Sequence, residues 1–245
     1  MTEITHRSVA TNGINLHIAE AGEGPLVLLV HGFPESWYSW RHQLPALAAA
    51  GFHAVAPDVR GYGHSDAPEP IEAYSMKEMT ADMAGLVDAL GERTAVIAGH
   101  DWGAPIAWHS ALLYPDKFRA VAALSVPFTP RSPAPPMTIF RQVFTNQFFY
   151  MLYFQEPGGA EAELEADVRR SMRLFLYFAS GDAPPGNFAT KAKNSKFLDG
   201  MAEPAELPGW LTEADLDYYT AEFERTGFRG GLNRYRNMDR DWEEL

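Results

Sequence analysis

The sequence predicts an α/β protein in which helices cover both faces of a mostly parallel β-sheet and a helical lid follows the sheet. Three observations predict this class. Apolar runs of strand length alternate with helix-length amphipathic segments as far as Val126, which indicates βαβ units. Residues 25–30 form an unbroken apolar run, which is typical of a strand buried on both sides. After Pro127 the alternation ends, and only helical patterns follow.

The first half of the chain supplies the predicted sheet. We predict an antiparallel hairpin over residues 4–20, because two alternating segments flank Asn12-Gly13, a pair that favours a tight turn. Further strands are predicted from short apolar runs at residues 25–30, 52–56, 94–98 and 118–126. Helices are predicted where apolar residues recur at helical spacing, at residues 37–50, 75–90 and 103–111.

The second half supplies the predicted lid. Residues 129–136 are rich in proline and are predicted to form a linker, and residues 180–208 form a loop rich in Gly, Pro and Lys. Lid helices are predicted at residues 137–144, 148–154 and 160–179. Another is predicted to begin at Thr212, where T-x-x-D fits a loose capping box. We therefore predict two domains, a hydrolase-type sheet core at residues 1–127 and a helical lid at residues 128–245.

Composition limits the classes of function. The 245 residues are 46% hydrophobic, which is ample for a globular core. The net charge of −12 argues against nucleic acid or an anionic membrane as partner. The absence of cysteine excludes disulfides and thiolate chemistry. The N-terminus has no targeting pattern and no run approaches a membrane span, so we predict a cytoplasmic protein. The eight histidines lack paired ligand spacing and no Gly-rich phosphate loop opens a helix, so we predict no metal or cofactor.

The motif Gly99-His100-Asp101-Trp102-Gly103 joins a predicted strand directly to a predicted helix. Such a turn needs glycines two residues before and after its apex, because side chains would collide there, and the apex side chain is exposed. Serine occupies the apex in the usual form of this elbow, whereas this chain has Asp101. With an ordinary pKa near ~4 that carboxylate is ionised at neutral pH and can attack saturated carbon to give an ester. The alternative is a surface turn or helix N-cap residue.

Five motifs spread over nearly the whole chain resemble the α/β-hydrolase fold and, more narrowly, its soluble epoxide hydrolases. They are H-G-F-P-E-S-W-Y-S-W-R from His31, G-Y-G-H-S from Gly61, G-H-D-W-G from Gly99, Y-M-L-Y-F-Q-E-P-G from Tyr150 and G-F-R-G-G-L-N-R-Y-R-N from Gly227. The elbow alone is shared with haloalkane dehalogenases. The two lid motifs are closer to epoxide hydrolases and carry most of the resemblance.

The resemblance implies that Asp101 is the nucleophile and that Tyr150 and Tyr235 reach the epoxide oxygen from the lid. A phenol stays protonated at neutral pH and can stabilise an alkoxide, which agrees with that role. By spacing alone, each tyrosine can equally be a residue of the lid core. Backbone N–H groups of Phe33 and Trp102 would form an oxyanion hole for the ester intermediate.

The resemblance also implies which residues meet the substrate. The residues expected to line the pocket are His31, Pro34, Trp37 and Phe154. Pro34 resembles a cis proline of the family. We predict that His31 and His100 are structural residues held by hydrogen bonds. The many lid aromatics favour a small hydrophobic epoxide, aryl or alkyl, as substrate. A homodimer is compatible with the sequence, which does not determine the oligomeric state.

Two other functions stay open at this point. A haloalkane dehalogenase would share Asp101 and hold halide with the indole N–H of Trp102. However, that family usually has a polar or indole donor where this chain has Phe33, and it does not need paired lid tyrosines. The second alternative is a non-catalytic ligand-binding protein with a hydrolase fold, since a fold does not fix function.

Hydrolysis of the predicted ester needs a base, normally a histidine oriented by a carboxylate. No histidine follows His109 in the chain. His109 itself lies about two turns beyond Asp101, roughly 12 Å along the helix axis, which is too far for a shared water. We therefore expect a fragment that lacks the base, its acid partner and the final strands, and that forms the ester and then stalls.

Overall fold

The computed structural model describes residues 3–184 and 191–245 and separates them into two compact units. The first unit runs through Pro130 and the second begins at Arg131. In the described part of the chain, every strand belongs to the first unit. No helix in those two ranges is long and apolar enough to cross a membrane.

The sheet of the first unit has six strands in the order β1-β2-β4-β3-β5-β6. Their bounds are β1 Thr5–Thr11, β2 Ile14–Ala21, β3 Leu26–Val30, β4 His53–Pro57, β5 Ala95–His100 and β6 Phe118–Leu124. Strand β2 pairs antiparallel with β1 and β4, whereas the pairs β3–β4, β3–β5 and β5–β6 are parallel. The predicted N-terminal hairpin and the mostly parallel core are both confirmed. The hairpin turns at Asn12 and Gly13, which have φ angles of 44° and 76°.

Strand β3 is the centre of this sheet. All five of its residues are buried, and parallel strands flank it on both sides. Its sequence therefore has no polar face, as the apolar run predicts. Because β3, β4 and β5 are parallel, their carboxyl ends lie at one edge, where open α/β sheets bind ligands. Three loops follow these ends, namely residues 31–36, residues 58–66 and the elbow at Asp101.

The described residues of the first unit form the α-helices α1 Gln43–Ala49, α2 Met76–Ala89 and α3 Gly103–Leu113. Helix α2 begins after Ser75, whose side chain accepts from the Glu78 N–H. The prediction of one helix over residues 37–50 is wrong. A 3₁₀ turn, Trp37–Trp40, precedes α1. Pro45 lies in the first turn of α1 and has no N–H to donate, so a single helix cannot run through it.

The second unit is helical. Its elements are α4 Pro136–Val143, α5 Tyr150–Tyr153, α6 Gly159–Leu164, α7 Val168–Phe178, α8 Glu213–Thr226, α9 Arg229–Arg236 and α10 Met238–Glu244. Helix α8 begins at Thr212 with the predicted capping box to Asp215. The helix predicted over residues 148–154 is a single turn, α5. Residues 185–190 of the predicted loop lie outside the described residues.

The prediction of one continuous helix over residues 160–179 is also wrong. A 3₁₀ turn, Glu165–Asp167, separates α6 from α7. Asp167 has an extended φ of −152° and its side chain accepts from the Arg170 N–H, so it caps a new helix. The Glu165 carboxylate accepts from the Phe228 N–H at 3.0 Å. These side-chain contacts interrupt a pattern whose periodicity alone predicts one helix.

Candidate active site

The elbow at Asp101 has the geometry that its glycines predict. Asp101 lies between β5 and α3 and has a φ angle of 49°, in the left-handed region that few residues other than glycine adopt. A Cβ atom on Gly99 would lie 1.9 Å from the carbonyl oxygen of Gly103. A Cβ atom on Gly103 would lie 2.0 Å from the carbonyl oxygen of Val30. No side chain fits at either position, so the chain can turn directly from strand to helix only with glycine there.

The two predicted oxyanion donors meet at the carboxylate of Asp101. The Phe33 N–H donates to Oδ1 at 2.8 Å, and the Trp102 N–H also donates to this carboxylate. The carboxylate therefore faces the loop after β3. Trp102 is the N-cap residue of α3 and no side chain caps this helix, so the alternative of Asp101 as a capping residue does not hold. The Phe33–Pro34 peptide bond is cis, as the resemblance implies.

The acidity of Asp101 differs from the sequence expectation. Burial raises its pKa from 3.8 to about 6, and the negative charge of Glu35 acts in the same direction. The N–H groups of Phe33 and Trp102 oppose this rise by stabilising the carboxylate. The expected ordinary pKa near ~4 is therefore wrong. Asp101 is still mostly ionised at neutral pH, and its carboxylate is more basic than an exposed one.

Glu35 is a residue of the site that sequence reasoning missed. Its Oε2 accepts from the Gly32 N–H at 2.9 Å, and its Oε1 lies 2.7 Å from Nδ1 of His100. This contact raises the pKa of the His100 imidazole. Glu35 thus fixes the loop that carries Phe33 to the end of β5, next to Asp101. The only signal in the sequence was an acidic residue inside the His31 motif.

The other predicted residues of this unit support the loop. The His31 ring is 1% exposed, accepts from the Val59 N–H with Nε2 and donates from Nδ1 to the carbonyl oxygen of Gly32. The expected structural role of His31 agrees with these bonds. Its expected place in the pocket lining does not, because its surface is covered. Trp37 is buried, and its backbone N–H donates to the Asp58 carboxylate at 2.9 Å.

The histidines offer no evident base for Asp101. His109 is held by the carbonyl oxygen of Pro105 at 2.8 Å, and His100 is paired with Glu35. Two further histidine–carboxylate pairs occur among the described residues, His17 with the buried Asp58 at 2.7 Å and His53 with Glu20 at 2.9 Å, the latter on β4, two strand positions from β5. His17 lies on β2, however, and β2 is three strand positions from β5, about 14 Å at ~4.8 Å per strand.

The second unit brings the two predicted tyrosines together. The rings of Tyr150 on α5 and Tyr235 on α9 lie 5.9 Å apart at an interplanar angle of 81°. Phe154 is fully buried and packs against both rings, at 5.7 Å from Tyr150 and 5.1 Å from Tyr235. The three side chains form an edge-to-face cluster, an arrangement that aromatic rings prefer. Phe154 was expected to line the pocket, but it is covered and instead supports the tyrosines.

Metal ligands do not cluster in the described ranges. No group of three or more His, Asp or Glu side chains in residues 3–184 and 191–245 could hold a metal ion.

Comparison with known proteins identifies related chains. Residues 25–219 match the family model for the alpha/beta hydrolase fold. The chain is 53% identical over 246 residues to epoxide hydrolase A of Mycobacterium tuberculosis, covering 98% of this chain and 76% of that protein. It is 45% identical over 247 residues to epoxide hydrolase 1 of Siraitia grosvenorii, covering 99% of this chain and 75% of that one. The crystal structure of epoxide hydrolase A from Mycobacterium thermoresistibile superimposes with a TM-score of 0.94 at 53% identity, covering 99% of this chain and 77% of that one.

Proposed function

Because the chain belongs to the epoxide hydrolases of the alpha/beta hydrolase fold, we propose that Asp101 opens an epoxide by nucleophilic attack and forms an ester with it. One observation carries this assignment. The carboxylate of Asp101 is the apex of the elbow and accepts two backbone N–H groups, from Phe33 and Trp102. Family membership also decides between the three functions left open by the sequence.

In the first step, Asp101 attacks a ring carbon of the epoxide. Its Oδ1 accepts the Phe33 N–H, so Oδ2 is the oxygen that attacks. A bond forms between Oδ2 and carbon while the carbon–oxygen bond of the ring breaks, and the electron pair stays on the ring oxygen. Tyr150 or Tyr235 gives its phenolic proton to that oxygen. The product is a hydroxyalkyl ester of Asp101.

In the second step, water attacks the ester carbonyl carbon. The Phe33 and Trp102 N–H groups stabilise the negative oxygen of the tetrahedral intermediate. Collapse of the intermediate breaks the ester. The departing alkoxide oxygen takes up a proton to give a vicinal diol, and the remaining carboxyl proton returns to the tyrosinate of the first step, which restores the Asp101 carboxylate and the phenol. A base must take a proton from the water, and we assign this role to none of the eight histidines of these 245 residues. The half-reaction we propose for this chain is therefore ester formation.

The aromatic side chains of the second unit support a hydrophobic substrate. Several phenylalanines of the second unit lie close together, and Phe149 stacks on Phe144 at 4.1 Å. We propose a small aryl or alkyl epoxide on this basis. A cytoplasmic location and a homodimer stay predictions from the sequence, and a role in detoxification is a proposal that rests on the resemblance.

Incubation of the 245-residue chain with a simple aryl epoxide tests the proposal. Intact-protein mass spectrometry should show a gain equal to the mass of one epoxide, and peptide mapping should locate the gain at Asp101. The variant Asp101→Asn should show no gain. An unmodified wild-type protein, or equal modification of the variant, would contradict the assignment of Asp101. Steady release of diol would instead show that the chain contains a base for the second step.

A further inference from the structure

A one-turn helix carries Tyr150, and its position depends on the rest of the second unit. Helix α5 has four residues and no side-chain cap at its N-terminus. A helix this short is not stable alone in water, because its few hydrogen bonds do not offset the entropy lost in forming the first turn. The carbonyl groups at its C-terminal end also need hydrogen-bond donors from elsewhere.

Arg236 supplies donors to the segment that directly follows α5. Its Nε donates to the carbonyl oxygen of Phe154 at 3.0 Å, and its Nη2 donates to the carbonyl oxygen of Glu156 at 3.3 Å. Arg236 directly follows Tyr235 on α9, so one guanidinium joins the helix of Tyr235 to the segment that leaves the helix of Tyr150. The guanidinium is planar and its N–H directions are fixed, so it sets distance and orientation together.

The positive charge of Arg236 is paired with the carboxylate of Glu161. Its side chain is only 3% exposed, and Nη1 lies 2.7 Å from Oε1 of Glu161 and donates to Oδ1 of Asn233 at 2.8 Å. Burial by itself would raise the pKa of Glu161, but Arg236 and the Gly158 N–H hold that pKa below its ordinary value. A buried arginine without a partner would be strongly destabilising. Glu161 therefore allows a charged side chain to be used as an internal connection.

A second connection runs from the same segment. Gln155 donates from Nε2 to the carbonyl oxygen of Met151 in α5 at 2.8 Å and to that of Tyr235 in α9 at 3.1 Å. Residues 154–156 thus contact α9 through the Phe154 ring, the Gln155 side-chain amide and the carbonyl groups of Phe154 and Glu156. The distance between Tyr150 and Tyr235 follows from these contacts rather than from either helix alone.

We propose that Arg236 is a positioning residue, which holds α5 against α9 so that Tyr150 and Tyr235 act together on one epoxide oxygen. This inference rests on the function proposed above. Two hydroxyl groups can serve one oxygen only when both lie within hydrogen-bond distance of it. A displacement of about 1 Å can lower a rate by about a hundredfold. In this assignment Arg236 touches no reacting atom and acts through the tyrosines.

The test compares rates of ester formation in the 245-residue chain at several concentrations of the aryl epoxide. Arg236→Lys keeps a positive charge near Glu161 but cannot reach both carbonyl oxygens in the same geometry. We expect the maximal rate to fall about tenfold, with the half-saturating concentration unchanged. In a Tyr150→Phe background, the same substitution should change the rate less than about twofold, because the group it positions is absent. The control is Arg240→Lys, on the exposed face of α10, which should match the wild type.

The outcomes separate this inference from the proposed function. If Tyr150→Phe slows ester formation but Arg236→Lys does not, the inference is wrong and the function stands. If Arg236→Lys slows the reaction equally in both backgrounds, Arg236 does not act through Tyr150 and the inference is wrong. If the wild type forms no ester, the function itself fails. Should Arg236→Lys not fold, Gln155→Met removes the second connection and leaves the Glu161 pair intact, and it should lower the maximal rate in the same way.

Discussion

Replacing Asp101 by asparagine should stabilise the folded protein at neutral pH, although it removes the proposed nucleophile. The folded structure raises the pKa of this carboxyl from 3.8 to about 6 by burying it and placing Glu35 nearby. The ionised form is therefore less favourable in the folded chain than in the unfolded chain. Asparagine has the same shape and carries no charge, so it avoids this cost.

The size and the pH range of the effect follow from the two pKa values. A rise from 3.8 to about 6 corresponds to about 3 kcal/mol of destabilisation by ionised Asp101. The full difference is present above about pH 6, where the carboxyl is ionised in both states. It decreases as the pH falls and is absent below pH 3.8, where the carboxyl is protonated in both states.

Urea unfolding of the wild type and of Asp101→Asn across pH 4 to 8 measures this difference directly. The rate of ester formation by the wild type gives an independent value, because only the carboxylate attacks. We expect that rate to be half-maximal near pH 6 and to fall about tenfold for each further pH unit below. Asp116→Asn, at an exposed turn, is the matched control and should show no comparable stabilisation.

Two results would refute the reasoning. A variant that is no more stable than the wild type at pH 7 would mean that the fold does not disfavour ionised Asp101. A stability difference that is constant with pH would mean that the substitution acts through packing rather than through charge. Agreement between the kinetic midpoint and the stability curve would tie both to the same carboxyl.

Three further substitutions test other parts of the structure. Gly99→Ala should destabilise the protein by about 3 kcal/mol or more in thermal unfolding, because its Cβ would overlap the Gly103 carbonyl. Gly159→Ala should not destabilise the protein comparably, because a Cβ at Gly159 meets open space. Equal effects of the two substitutions would contradict the elbow geometry. Asp82→Asn should cost about 3 kcal/mol in urea unfolding, because the buried charge of Arg60 then has only the more distant carboxylate of Glu78, at 3.6 Å. Arg169→Gln removes two exposed pairs and should cost less than about 1 kcal/mol. A similar loss in both would be evidence against a special role for burial. Tyr150→Phe should slow ester formation by about a hundredfold in the mass-spectrometric assay, whereas the control Tyr177→Phe should leave the rate unchanged. An unchanged rate for Tyr150→Phe would show that this phenol takes no part in the mechanism.

Local patterns in the sequence were sufficient to predict those elements that depend on local backbone conformation or on complete burial. Asn12-Gly13 predicted its hairpin because both residues tolerate the positive φ that the turn requires. The apolar run at residues 25–30 predicted β3 because a strand covered on both faces has no place for polar side chains. The glycines of the elbow predicted the turn at Asp101, because a side chain at Gly99 or Gly103 would overlap the neighbouring backbone.

The same reasoning failed where a distant group decides the outcome. Periodicity predicted one helix over residues 160–179, but Glu165 is bound to the backbone of Phe228 and Asp167 caps a new helix. An ordinary pKa was expected for Asp101, because the sequence does not show which groups will surround a side chain. His31 was expected in the pocket, and its hydrogen bonds to Val59 and Gly32 hold it beneath the loop instead.

The sequence by itself determined the parallel sheet, the elbow with its aspartate and the likeness to epoxide hydrolases, because these depend on neighbouring residues and on which side chains avoid water. Only the tertiary structure decided the acidity of Asp101, its neighbour Glu35 and the connection that Arg236 makes between α5 and α9. Those features join residues that are 66 to 82 positions apart in the chain. Interactions over such separations form only when packing brings the groups within a few ångströms and excludes water from between them.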